Sequence, residues 1–263
     1  MSAAALQTHG LGISFGAFHA VSGVNLSLEP GARQALIGPN GAGKTTLINL
    51  LTGIYKPSAG RVLMNGEDVT ALSADRRARR GLARTFQINT LFPSLTPLSS
   101  VVLAISERDG LGAVWWRPLK RHTAVYDEAR ELLGRLKLDA LADVPVAELA
   151  YGKQRLLEIA LAMAAKPRIL LLDEPAAGVP EGESGELFEV IDALPADISV
   201  LFIEHDMKLV FRFARRISVL VTGQVLTEGT PAEIGRDPRV REVYLGQAHT
   251  HAVQAIPAEA AHG

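Results

Sequence analysis

A chain of 263 residues can bury a full core, as one large domain or as a domain with a subdomain. Its 48% apolar and 21% charged residues exclude wholesale disorder, and its net charge of −1 argues against a nucleic-acid partner. The absence of cysteine removes disulfides, thiolate zinc sites and a cysteine nucleophile.

No run approaches the about 18 apolar residues of a membrane span, and MSAAALQTHGLG lacks a secretory pattern. VNLSLEP, Val24–Pro30, alternates apolar and polar residues and predicts a half-buried strand. RQALIG, Arg33–Gly38, predicts a buried strand, followed by a helix from Lys44 to about Leu51. RVLMNG, Arg61–Gly66, predicts a strand entering an Asn-Gly turn. ADRRARRG, Ala74–Gly81, holds four arginines in five positions. It reads as a solvated helix face, with contact to anionic lipid headgroups as the alternative.

From about Phe92 to Val146 helical stretches replace β-like runs, notably Tyr126–Leu138, and imply a helical insertion in an α/β core. Trp115 and Trp116 within it fit either a docking surface or core packing. Leu156, Ile159, Ala160 and Met163 recur on one helix face. RILLLDEP, Arg168–Pro175, and ISVLFIEHD, Ile198–Asp206, predict strands, and Met207–Phe213 a helix. ISVLVTGQVLTEG, Ile217–Gly229, predicts a hairpin around Thr222-Gly223. The tail 247–263 is Ala-rich without an apolar face and is expected to be disordered, its His249 and His251 solvated.

GPNGAGKTT, Gly38–Thr46, stands between a predicted strand and a predicted helix and fits G-x-x-x-x-G-K-[ST]. Gly38, Gly41 and Gly43 leave room for the backbone N–H groups of this loop, with Pro39, Asn40 and Ala42, to converge on phosphate. The helix N-terminus at Thr45-Thr46 adds partial positive charge. Lys44 is expected to reach the β- and γ-phosphates of ATP and Thr45 to offer its hydroxyl to Mg²⁺. The run Ile169–Leu172 predicts a central parallel strand, with Asp173 and Glu174 at the end where open α/β sheets bind ligands. Asp173 is then a Mg²⁺ holder and Glu174 the general base for the attacking water.

Five motifs, GPNGAGKT, Gln87 in ARTFQ, LAYGKQR, LLLDEP and His205 in IEHD, follow the order and spacing of ABC-transporter ATP-binding subunits. The stretch ELAYGKQRLLEIALAMAAKPRILLLDEPAAGV, together with IEHDMKLV and VREVYLG, most resembles the ATPase subunits of branched-chain amino acid importers. The resemblance implies a P-loop α/β core with an antiparallel β portion and a helical subdomain. It divides the chain into 1–91, a helical subdomain at 92–148, and 149–246, ahead of the tail. It implies that Gln87 reaches Mg²⁺ and the attacking water, that His205 contacts the γ-phosphate, and that Phe15, with Phe18 as rival, stacks on adenine.

It further implies a head-to-tail pair with a second ATPase subunit, identical or different. Leu149, Ala150, Tyr151, Gly152, Lys153 and Gln154 then close over the nucleotide of the partner. Ala150 and Tyr151 replace the usual Ser and Gly of that signature, and Pro180 stands where an acidic or amide side chain is commoner. Integral membrane permeases and a periplasmic binding protein complete the implied assembly, at the cytoplasmic face of the inner membrane. The alternatives are a related importer for urea, amides or aromatic acids, a lipopolysaccharide exporter, or a soluble ABC ATPase of DNA repair or translation.

Overall fold

The computed structural model describes residues 3–85, 91–111 and 123–245. Gln87, Trp115, Trp116 and the tail lie outside the described residues.

Two sheets are built from strands β1 (Leu6–Phe15), β2 (Phe18–Leu28), β3 (Arg33–Ile37), β4 (Ala59–Met64), β5 (Glu67–Asp68), β6 (Leu82–Arg84), β7 (Ile169–Asp173), β8 (Ser199–Ile203), β9 (Arg216–Val221) and β10 (Gln224–Gly229). The first is antiparallel, in the order β2-β1-β4-β5. The second has the order β10-β9-β3-β8-β7-β6 and is parallel except for the β9–β10 hairpin. The Asn65-Gly66 turn between β4 and β5 takes positive φ at both residues, as a tight hairpin requires.

The central strands β3, β7 and β8 are buried at every position and largely apolar, because both faces of the sheet are covered. Leu36, Leu171, Leu201, Ile203 and Leu220 face a cluster shared with the antiparallel sheet and α1 (Lys44–Thr52). Their neighbours Ile37, Leu170, Leu172, Phe202 and Val219 face the opposite way. That second cluster runs on without a break into α3 (Pro97–Arg108), α4 (Thr123–Arg135), α5 (Tyr151–Ala164) and α6 (Glu181–Asp192). The helical insertion therefore shares its core with the sheet. Arg108 binds the Glu128 carboxylate at 2.6 and 3.0 Å and the Ala164 carbonyl at 2.9 Å, joining α3 to α4 and to the end of α5.

The arginine run needs one correction. It forms α2 (Ala74–Arg79), but Arg77 is fully buried rather than solvated or free for lipid. Its guanidinium donates to the carbonyls of Leu50 and Leu51, both at 2.7 Å, and of Thr70 at 3.1 Å. The first two are last-turn carbonyls of α1, of which Leu50's also accepts the capping Gly53 N–H at 3.3 Å, and a helix C-terminus favours a cation. The chain ends, as described, in α7 (Met207–Phe213), α8 (Pro231–Arg236) and α9 (Pro238–Leu245).

Candidate functional site

β3 delivers the chain into the loop Gly38–Gly43, and α1 begins at Lys44. Gly43 caps the helix at φ 99°, and a Cβ there would lie 2.6 Å from the Ala20 carbonyl oxygen. Glycine at this position is thus demanded by close packing on β2 as well as by the left-handed turn. A second brace comes from the β9–β10 turn: Gly223 N–H donates to the Ala42 carbonyl at 2.8 Å. From α9, the Tyr244 hydroxyl hydrogen-bonds the backbone of Gly38, and burial pushes that hydroxyl above its ordinary pKa.

The loop borders a cavity of about 350 Å³ lined by Asn40–Thr46 together with Ala20, Phe18, Glu174 and His205. A larger cavity of about 810 Å³, between α4 and the end of α5, is lined by mixed charges such as Asp127, Glu131, Arg135 and Lys166 and has no phosphate loop. Lys44 is 7% exposed, and its ammonium donates to the carbonyls of Gly38 at 2.7 Å and Pro39 at 3.0 Å. Burial lowers its pKa, while Glu174 and Asp173 pull it back up.

Asp173 ends β7 and Glu174 follows it, beside β8, which His205 follows by two residues. Asp173 is buried, with Arg84 Nη2 at 2.8 Å. Arg84 Nη1 also donates to Asn49 Oδ1 on α1 at 2.6 Å, so one guanidinium ties β6, β7 and α1 together. Glu174 takes φ 50°, an uncommon conformation for a side-chain-bearing residue. It aims its carboxylate at His205, with Nε2 and Oε1 2.7 Å apart. The Thr45 hydroxyl and the Asp173 carboxylate, the latter also held by Arg84, are oxygen groups of the kind Mg²⁺ takes, with the rest from phosphates and water.

Of the two adenine candidates, Phe15 and Phe18 are register partners across a two-residue turn, 50% and 65% exposed. Phe18 lines the cavity; the Phe15 ring sits edge-on to Tyr55, centroids 5.7 Å apart.

Leu149 is buried, Ala150 is exposed, and α5 starts at Tyr151. Gly152 is buried, and a Cβ on it would meet Glu183 of the same chain. The nearest atom is the end of the flexible Glu183 side chain, so a larger residue at Gly152 acts within its own chain as well as on any partner. The Tyr151 ring lies against Gly178 and 5.2 Å from the Arg155 guanidinium. Lys153 pairs with Glu186 at 3.0 Å, and Gln154 Nε2 donates to the Leu149 carbonyl at 3.0 Å. The first amides of α5 remain available to an anion, because the first turn of a helix has no internal acceptors for them.

Motif inspection passed over Arg84 and Glu204. Arg84 stands inside ARTFQ, where only the glutamine drew notice, and Glu204 inside the IEHD motif, where only the histidine did.

A phosphate loop opposite an Asp-Glu strand end, on a parallel sheet flanked by an antiparallel sheet and a helical insertion, defines an ATP-binding cassette. Residues 21–177 match the ABC transporter family, and residues 224–250 match the family described as Branched-chain amino acid ATP-binding cassette transporter. The chain is 42% identical over 255 residues to the high-affinity branched-chain amino acid transport ATP-binding protein LivG of Escherichia coli (strain K12), covering 94% of this chain and 100% of LivG. It is 40% identical, with the same coverage, to BraF of Pseudomonas aeruginosa, which bears the same description. The ADP conformation of MJ1267, an ATP-binding cassette of an ABC transporter, aligns with a TM-score of 0.82 at 31% identity, over 93% of this chain and 99% of that one. The chain belongs to the ABC-transporter ATP-binding family, in the group of branched-chain amino acid transport ATP-binding proteins, and is an ATP-hydrolysing transport subunit.

Proposed function

We propose that this subunit hydrolyses ATP to drive import of branched-chain or other hydrophobic amino acids. The observation that carries the chemical part is the 2.7 Å contact between Glu174 and His205 at the mouth of the cavity bearing Lys44 and Thr45. In this reading Gly38–Thr46 bind the phosphates and Lys44 neutralises them. Glu174 takes the proton of the attacking water, and His205 holds the carboxylate and faces the γ-phosphate. Thr45, Asp173 and Gln87 hold Mg²⁺, whose chemistry when bound is to neutralise the charge on the phosphates. The exposed tip of the β1–β2 hairpin, Phe15 with Phe18, is the adenine platform.

Residues 149–154 serve the nucleotide of a second ATPase subunit, the same or different. The described residues contain no helix long and apolar enough to cross a membrane, so transport needs separate permease subunits. An apolar groove of about 370 Å³, lined by Ile54, Ala78, Ala83, Ala162 and Pro167, is a fitting seat for one. It borders β6, which ends three residues before Gln87. The assembly lies at the cytoplasmic face of the inner membrane and takes its solute from a periplasmic binding protein. Residues 92–148 act as the helical subdomain between the core segments 1–91 and 149–246.

The experiment is to purify the protein with its membrane partners and measure ATPase stimulation by leucine, isoleucine and valine against urea, amides and aromatic acids. Stimulation by one of the latter alone assigns a different importer.

A further inference from the structure

Glu204 is a carboxylate with 5% of its surface exposed, between the end of β8 and His205. Burying a charge is costly unless hydrogen bonds replace water. Here they come from two chain segments. Oε1 accepts the Ala176 N–H at 2.8 Å, just after Glu174-Pro175. Oε2 accepts the N–H of His205 at 3.0 Å. Burial pushes the carboxyl above its usual range, against the pull of the Ala176, His205 and Asp206 backbone amides. The segment it grips runs on into Ala177, whose carbonyl receives Arg155 Nη2 at 3.4 Å, and Gly178, on which Tyr151 lies.

We propose that Glu204 is a positioning residue for ATP hydrolysis, its carboxylate tying the backbone after Glu174 to the backbone of His205 and so holding the His205 ring against Glu174. This rests on the reading of Glu174 and His205 as the pair at the reacting water. The geometry favours positioning over simple support. The backbone amides it holds, of Ala176, His205 and Asp206, all lie within two residues of that pair. A glutamine there keeps the volume but turns an NH₂ toward the N–H donors of one of the two segments. One tie is lost, and the angle between the two segments is freed.

The test uses the full chain carrying Glu204→Gln. The expected result is a kcat lower by about tenfold or more, since small misplacements of a catalytic group are costly. KM, and the Kd of a fluorescent ATP analogue, should stay within about twofold, because the phosphate loop is untouched. Amide exchange should quicken at residues 174–180 and 203–208 and not elsewhere. Unchanged kcat overturns the proposal. So does a KM rising in step with the loss of kcat, or faster exchange throughout the chain, since both mean general loosening. If Glu204→Gln does not fold, Glu204→Asp carries the same test: it keeps the charge but is one methylene too short to span both segments. Wild-type kcat in that variant overturns the proposal. His205→Ala is measured in parallel. Normal turnover there sinks the site reading itself, whereas an inactive His205→Ala beside a fully active Glu204→Gln sinks only the brace.

Discussion

Gly152 packs so tightly on Glu183 that a Cβ added to it would lie 2.5 Å from Glu183 Oε2. Glu183 belongs to α6 of the same chain, and Val179, just before α6, closes the other side. A bulky or acidic substitution at Gly152 must therefore displace the Glu183 carboxylate of its own chain before it meets any partner. Loss of function in such a variant would not show that the signature faces a second subunit. The exposed probe of that contact is Ala150.

Lys44→Ala should weaken ATP binding by about 10- to 100-fold, the worth of a hydrogen bond to a charged group. Lys44 donates to two loop carbonyls and is held between them and the carboxylates at the end of β7. Titration calorimetry reads the change, and an unaltered affinity would remove Lys44 from the phosphate site.

Replacing both Phe15 and Phe18 with alanine should cost ATP about 1–3 kcal/mol of binding, a typical base–aromatic stacking energy, and cost inorganic triphosphate nothing. Phe15→Ala should carry the larger share although Phe18 lines the cavity. Tyr55 already braces the Phe15 ring, so stacking orders less side chain. A larger loss from Phe18→Ala would move the platform to that ring.

Arg77→Met should destabilise the fold by about 2–4 kcal/mol, through the α1 and loop carbonyls that lose its N–H donors. Chemical denaturation measures this, and a loss under about 0.5 kcal/mol, the range of ordinary surface changes, would contradict the buried role.

Arg77 also shows where local pattern stops informing. β3, β7 and β8 could be found because strands covered on both faces carry unbroken apolar runs, and the phosphate loop because its glycines and lysine are bound to fixed positions. Arg77, Arg84 and Glu204 could not, since each has a partner remote along the chain, and most of their partners are backbone carbonyls and amides that no side-chain pattern reveals. β1 went unread because Gly10 and several register shifts break its alternation, and β6 because it has three residues. α6 hid behind two glycines and five acidic residues in EGESGELFEVID. The orientation of Gly152 depends on how α5 packs on α6, and spacing along the chain says nothing of it.

The Arg108–Glu128–Lys166 cluster should make stability acid-sensitive. Arg108, with Lys166 at 3.1 Å, holds the Glu128 carboxyl down to about 2 against its ordinary 4.5. Between those values the unfolded chain binds a proton that the folded chain refuses, so stability falls as pH drops through the window. Glu128→Gln should be less stable than wild type at pH 6, with the gap closing toward pH 2. A constant gap across that range would mean that Glu128 contributes packing and no charge.

Glu174→Gln should bind MgATP, hydrolyse it about 10²–10⁴ times more slowly, and accumulate as a closed pair of subunits. The amide keeps the shape beside His205 but cannot take the proton of the water, while Lys44, Thr45 and Asp173 still hold nucleotide and metal. Closure persists because the step that ends it is blocked. Adding Ala150→Asp separates the partner contact from folding by the sign of its two effects. Ala150 is the N-cap of α5 and makes no side-chain capping bond, and aspartate is a preferred residue there, so the subunit should melt no lower and by this argument somewhat higher. The same carboxylate, exposed at the helix N-terminus, would face the γ-phosphate bound by the partner and repel it. Size-exclusion chromatography in MgATP should then show Glu174→Gln as a dimer and the double variant as a monomer of undiminished melting temperature. A monomeric Glu174→Gln would count against the catalytic assignment. A dimer that survives Ala150→Asp would mean that residues 149–154 do not meet the nucleotide of a second subunit.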